Sequence, residues 1–168
     1  KKPLENLKTL NNRNYKALID SLNTVLVLSG GGHVYSHSKQ GLKRLDKSVE
    51  QQNQFNAGVF IHDKNIYMYG GYGFWAFKEY LTVFDKSTEQ WEIMYLNSDY
   101  IPKGRWKPVF QIINDRLYVL GGRYNPEGSG DRDIELNDHF YFDFNTKTFE
   151  EQGEINDDFP LQNSFNSN

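Results

Sequence analysis

Asn65-Ile66-Tyr67-Met68-Tyr69-Gly70-Gly71 and Arg116-Leu117-Tyr118-Val119-Leu120-Gly121-Gly122 are two copies of one pattern, 51 positions apart. Each is a short apolar run, rich in aromatic and β-branched residues, stopped by a glycine doublet. Such side chains fit the pleated, half-buried surface of a sheet. Glycine lets the backbone take positive φ and approach a neighbour closely. The pattern therefore reads as a strand ending in a sharp turn, written twice.

The offset of 51 begins with Phe55, which meets Trp106, and runs through both doublets. Beyond them it becomes 58: Phe84-Asp85 meets Phe142-Asp143, and Trp91 meets Phe149. One insertion of seven residues within 123–137 accounts for the change. Strands are expected at 25–28, 34–35, 42–45, 57–62, 65–69, 80–84, 90–96, 107–113, 116–120, 138–144 and 148–153. Turns are expected at 63–64 and 85–89. Many short strands with regular turns read as a sandwich, barrel or propeller. A repeat of about 50 residues with insertions confined to one loop selects the propeller.

A weaker third copy precedes these two. Leu45-Asp46-Lys47-Ser48-Val49-Glu50-Gln51 parallels Phe84-Asp85-Lys86-Ser87-Thr88-Glu89-Gln90 at an offset of 39, and Gly31 falls on Gly70. Residues 25–51 thus read as the second and third strands of an earlier unit. Gln52 stands where an aromatic is expected, and little chain is left before Phe55 for a fourth strand. Further upstream, Leu4, Leu7, Leu10, Leu18, Ile19 and Leu22 fall near helical spacing. Residues 1–23 read as a lead-in, either a short helix or extended, and 156–168 as a polar exit segment.

Together these residues resemble kelch repeats of the bacterial and galactose-oxidase central-domain type. In that family the second strand of a four-stranded blade ends in Gly-Gly. An aromatic on strand three is followed, across a short turn, by one on strand four. Gly70, Gly71, Phe84 and Trp91 match within 55–105. Gly121, Gly122, Phe142 and Phe149 match within 106–155, with Phe149 in place of the usual Trp, and Leu136-Asn137-Asp138 matches the lead into strand three. The resemblance implies an all-β fold of kelch-type β-propeller blades, two full and a partial one at 24–54. Propellers close with about 4–8 blades. The remaining blades are therefore expected from a longer chain, of which this is a fragment, or from self-association. The function implied is a non-catalytic binding or protein-interaction module with a protein or carbohydrate ligand and no cofactor. The alternative is a carbohydrate-active enzyme of the sialic-acid mutarotase or epimerase-like kind. A third alternative is an extracellular sensor or scaffold domain. The crosslinked Cys–Tyr site of the copper oxidases cannot form, because the chain has no cysteine.

Composition agrees with a β protein. The 168 residues fit one domain by length. Aromatics make up 15% of them, with 12 Phe, 11 Tyr and 3 Trp, which favours strands over helices. The net charge of −3, with no basic stripe, argues against a nucleic-acid partner. No apolar run approaches the ~18 residues of a spanning helix. The chain begins Lys-Lys-Pro, and its compartment is left open.

Phe74, Trp75 and Phe77 follow Gly70-Gly71-Tyr72-Gly73, which places them on a propeller rim. Exposed there, they would stack on a sugar ring or a peptide; the plainer reading packs them between blades. Arg123 follows Gly121-Gly122 and is the expected ligand contact among Arg44, Arg105, Arg116, Arg123 and Arg132. Its plainer reading is a surface ion pair. Asp131, Asp133, Glu135, Asn137 and Asp138 alternate with neutral residues, but Leu136 stands where a calcium loop needs glycine, so a solvated loop is expected. His33, His37, His62 and His139 make no metal-ligand spacing, and no metal site is expected. Gly30-Gly31-Gly32 lacks the Gly-Lys-Ser/Thr ending of a phosphate loop. Catalytic residues are not assigned.

Overall fold

Each of the three glycine-punctuated units folds as an antiparallel meander of four strands. The structure is a computed structural model that describes residues 15–20, 23–28, 31–38, 40–127 and 132–155. The first sheet joins β1 (Tyr15–Asp20), β2 (Asn23–Leu28), β3 (Val34–Ser38) and β4 (Gly41–Arg44) in chain order. The second contains β5 (Gly58–His62) and β6 (Asn65–Tyr69). A small hairpin, β7 (Tyr72–Gly73) and β8 (Ala76–Phe77), then leaves the sheet before β9 (Leu81–Asp85) and β10 (Gln90–Ile93) complete it. The third repeats this plan: β11 (Val109–Ile113), β12 (Arg116–Leu120), the hairpin β13 (Arg123–Tyr124) and β14 (Ile134–Glu135), then β15 (Asp138–Asp143) and β16 (Thr148–Glu154). The fold is all-β, with no helix among the described residues.

The sheets stack face to face because the middle one is apolar on both sides. Successive side chains of a strand point to opposite faces. Val59, Ile66, Met68, Phe84 and Trp91 face the first sheet and pack on Val27 and Val34. Phe60, Tyr67, Tyr69 and Leu81 face the third and pack on Leu117, Val119, Phe140, Phe142 and Phe149. β5 touches β1 on one side and β11 on the other, so the first strands of the three sheets lie side by side. The close approach uses Gly58, where a Cβ would come within 2.9 Å of the Phe110 ring.

The seven-residue insertion lies in one hairpin tip. Two residues, 74–75, link β7 to β8, whereas nine, 125–133, link β13 to β14. The paired strands on either side keep their register.

The first unit differs from the sequence expectation. Within the lead-in, read as either a short helix or extended, residues 15–20 are a strand, and they pair with β2 along their whole length, from Tyr15↔Leu28 to Asp20↔Asn23. Leu18, which fell near helical spacing, packs against the first core instead. Residues 1–14 and 21–22 of the lead-in lie outside the described residues, as does the exit segment 156–168. The run at 42–45, aligned with the third strand of a unit, falls on the fourth, since β3 precedes it, and the residues after it are not a hairpin turn. Asp46 ends β4 by accepting hydrogen bonds from the Val34 amide at 2.6 Å and from Arg44. The chain then runs beside the start of β10. Lys47 N donates to Glu89 O at 2.7 Å, and Ser48 Oγ accepts from Trp91 N. The likeness of 45–51 to 84–90 is thus chemical and not positional. The first sheet has four strands starting at residue 15, where a partial unit from residue 24 was expected.

Candidate functional site

The β7–β8 hairpin has an unusual local structure. Its two-residue loop is Phe74-Trp75, with φ of 48° and 63°. Positive φ at both central residues is the signature of the type I′ turn, which matches strand twist and normally uses Asn-Gly or Asp-Gly. Two further two-residue hairpin turns use polar pairs, Asp63-Lys64 and Asn114-Asp115, also at positive φ. Bulky side chains at such angles are genuine outliers, costing about 1–2 kcal/mol per residue.

The surroundings hold this hairpin in place. Phe55 and Tyr72 exchange backbone hydrogen bonds of 2.7 and 2.9 Å, and Lys78 N donates to Gly71 O at 2.9 Å. Gly73 lies so close to Asn53 that a Cβ would meet its carbonyl and side-chain oxygens. The second hairpin is tied in the same way through Trp106 and Arg123, with two bonds of 2.9 Å. Phe77 joins the two hairpins, its ring 5.7 Å from Trp106 and 5.2 Å from Tyr124. Phe77 is therefore half-buried between the two hairpins. Trp75 is not: it is 87% exposed, and Phe74 is 55% exposed.

Phe74 forms one wall of an open cavity of about 300 Å³, completed by Glu50, Gln51, Lys78, Tyr80 and Ile93. The walls come from three places: the crossover between the first two sheets, the base of the hairpin and the outer strand β10. Burial lowers the Lys78 ammonium below its ordinary pKa and raises the Tyr80 phenol. Among the described residues, none of the polar side-chain groups of Glu50, Gln51, Lys78 and Tyr80 has a hydrogen-bond or ion-pair partner. Of these residues only Phe74 stood out in the sequence. Glu50 and Gln51 precede it by more than twenty positions, Lys78 was not singled out, and Tyr80 read merely as the first residue of a strand.

The other expected site residue is elsewhere. Arg123 pairs across its own hairpin with Glu135 at 2.9 Å, and both side chains are open to solvent. The cavity wall includes neither. The buried arginine is Arg105, whose side chain is fully covered. It grips Asp138 through two bonds of 2.6 and 2.7 Å, donates to Gly121 O and Lys103 O, and lies 4.7 Å over the Phe140 ring. Burial drives the neighbouring Tyr69 hydroxyl far above its usual pKa.

The remaining polar candidates are scattered. Asp131 lies outside the described residues, Glu135 and Asp138 are engaged by Arg123 and Arg105, and no group of three metal-ligating side chains occurs among the described residues. His62 stacks on Phe144 at 4.0 Å with Asp115 3.5 Å away, while the Nδ1 atoms of His33 and His139 are buried without a partner. Among the described residues, no helix is long and apolar enough to cross a membrane. No protein-family model matches the chain, and no curated protein matches it.

Proposed function

We propose that the three sheets are blades of a kelch-type propeller and that the chain is a non-catalytic binding module whose ligand docks at the β7–β8 hairpin. The meander of four strands, the repeat at offsets of 51 and 58, and the face-to-face stacking support the propeller. The remaining blades come from a longer chain or from self-association. One observation carries the binding reading: Phe74 and Trp75 occupy left-handed turn positions and are nevertheless exposed. A residue that strains the backbone without gaining burial contributes nothing to folding. Strain of this kind gathers at ligand clamps and persists where the surroundings over-determine it. The enzyme alternative needs arginine, histidine and carboxylate converging on one point, and the cavity beside the hairpin is lined by neither arginine nor histidine.

The test replaces the tip by the pair that the turn prefers, Phe74→Asn with Trp75→Gly. Relief of strain of about 1–2 kcal/mol per residue outweighs the extra unfolded-state freedom of one glycine, about 0.5–1 kcal/mol. The net gain over the two residues is about 1–3 kcal/mol, and each kcal/mol raises the melting temperature of a chain of this size by roughly 2–4 °C. A fall in melting temperature would show that the aromatic tip serves folding, and the binding reading would be abandoned.

A further inference from the structure

We propose that the cavity beside the hairpin is a saccharide site that takes one pyranose ring, with an apolar face of the sugar on Phe74 and its hydroxyls on Glu50, Gln51, Lys78 and Tyr80. The inference rests on the binding-module reading and names its ligand class.

The lining determines the class. Glu50 offers only acceptors and Lys78 only donors, while the Gln51 amide and the Tyr80 phenol offer both. None of the four is occupied by a partner among the described residues. A simple anion would satisfy Lys78 but face Glu50, and a simple cation would do the reverse. A polyhydroxylated ring donates and accepts at every hydroxyl and so satisfies both. The Phe74 ring supplies the complementary surface. Its face is electron-rich, and the C–H bonds on one side of a pyranose are weakly positive. Ile93, also half exposed, supplies a second apolar contact.

Size points the same way. About 300 Å³ is the lower end of small-molecule sites, enough for a ring-sized unit and short for an extended peptide. Trp75, next to Phe74 in the turn and exposed, would give a second ring surface for the next sugar of a chain. Lys78 is partly stripped of water and has no counter-ion among the described residues, and hydroxyl acceptors would restore its hydrogen bonds.

The experiment titrates the chain, by calorimetry and by saturation-transfer NMR, with methyl glycosides of the neutral hexoses, the N-acetylhexosamines and the hexuronic acids. At least one glycoside should bind saturably in the millimolar range or tighter, with saturation transfer concentrated on the C–H groups of one ring face. Phe74→Ala should weaken it roughly tenfold. Lys78→Met, which leaves the turn backbone alone, should weaken it as well. If no glycoside binds up to tens of millimolar, or if binding ignores both substitutions, the saccharide assignment is wrong. A randomised peptide library that instead enriches binders lost on Phe74→Ala would overturn the sugar and leave the binding module standing. A tip replacement that destabilises the chain would remove both readings.

Discussion

Arg105 and Asp138 form a two-pronged ion pair, at 2.6 and 2.7 Å, between the loop leading into the third sheet and the first residue of β15. The guanidinium is wholly buried, while the carboxylate keeps a quarter of its surface in water. Arginine's planar fork suits this two-point contact, and lysine cannot reproduce it. Arg105 also satisfies the carbonyls of Gly121 and Lys103, so one side chain ties the glycine doublet of the third sheet to the loop beneath it. Removing one partner of a buried pair costs about 3–5 kcal/mol. The partial exposure of Asp138 sets the expectation near 3 kcal/mol for Arg105→Leu. Urea denaturation checks it. A loss under about 1 kcal/mol, the size of a surface pair, would mean that the contact does not organise the doublet.

The glycine doublets give a second prediction with an internal control. Gly70 has φ of 70°, and a Cβ there would lie 2.5 Å from the Arg105 carbonyl oxygen. Gly153 has φ of 108° with nothing within 4 Å. Alanine at Gly153 carries backbone strain alone, about 1–2 kcal/mol. Alanine at Gly70 adds a clash with backbone that cannot rotate away, and should cost at least about 1 kcal/mol more. Equal losses at the two sites would show that the doublet is needed for its angles and not for the approach of Arg105.

The second and third sheets were legible because their hairpins use local chemistry. Asp63-Lys64 and Asn114-Asp115 sit between apolar runs of fixed length, and the glycine doublets mark where strands stop. The first sheet was legible in part: the strands expected at 25–28, 34–35 and 42–45 fall on β2, β3 and β4, while β1 and the run 45–51 were missed for two physical reasons. The apolar residues of 4–22 satisfy a helical spacing while Leu18 serves a strand, since a short run cannot separate the two periods. Residues 45–51 look like a strand and turn, yet they form a crossover fixed by Asp46 and Ser48 to partners far along the chain. The cavity was half legible. Phe74 was visible as an aromatic near a turn, but its exposure follows from its backbone angle, and its neighbours converge from distant segments. Arg105 carried no signal separating it from Arg123, because burial and pairing with Asp138 are set by packing.

Trp91 tests why one unit has tryptophan where the next has Phe149. Its indole N–H donates to the Gly32 carbonyl at 2.7 Å, and the side chain is buried against Phe84. The bond links the last strand of the second sheet to the loop after β2. Phe149 packs against the rings of Tyr69, Phe140 and Phe142. Trp91→Phe keeps the ring but leaves a buried carbonyl unpaired, a loss of about 1–3 kcal/mol. The denaturation midpoint should fall with an unchanged slope. A midpoint within error of the parent would mean that the bond has no net value and that tryptophan acts there by volume alone.

His33 gives the chain a pH dependence that is separable from its carboxylates. Burial is the main cause holding its pKa below the ordinary 6.5; the Arg44 guanidinium acts in the same direction and Asp46 against it. The folded state therefore keeps His33 neutral, whereas the unfolded chain takes up a proton near pH 6.5. Below that value the unfolded state binds more protons, so stability falls as pH drops, until the folded pKa is reached. Asp85 and Glu89 act lower. The Ser87 hydroxyl and amide hold Asp85 below its ordinary range, and Lys47 does the same for Glu89, so their contributions are lost only as pH falls from about 4. Between about pH 7.5 and about pH 5 the parent should lose stability, and His33→Asn should lose distinctly less, because that step no longer exists. Denaturation midpoints at the two pH values for both proteins decide the matter. Parallel losses in parent and variant would place the titrating group elsewhere than His33.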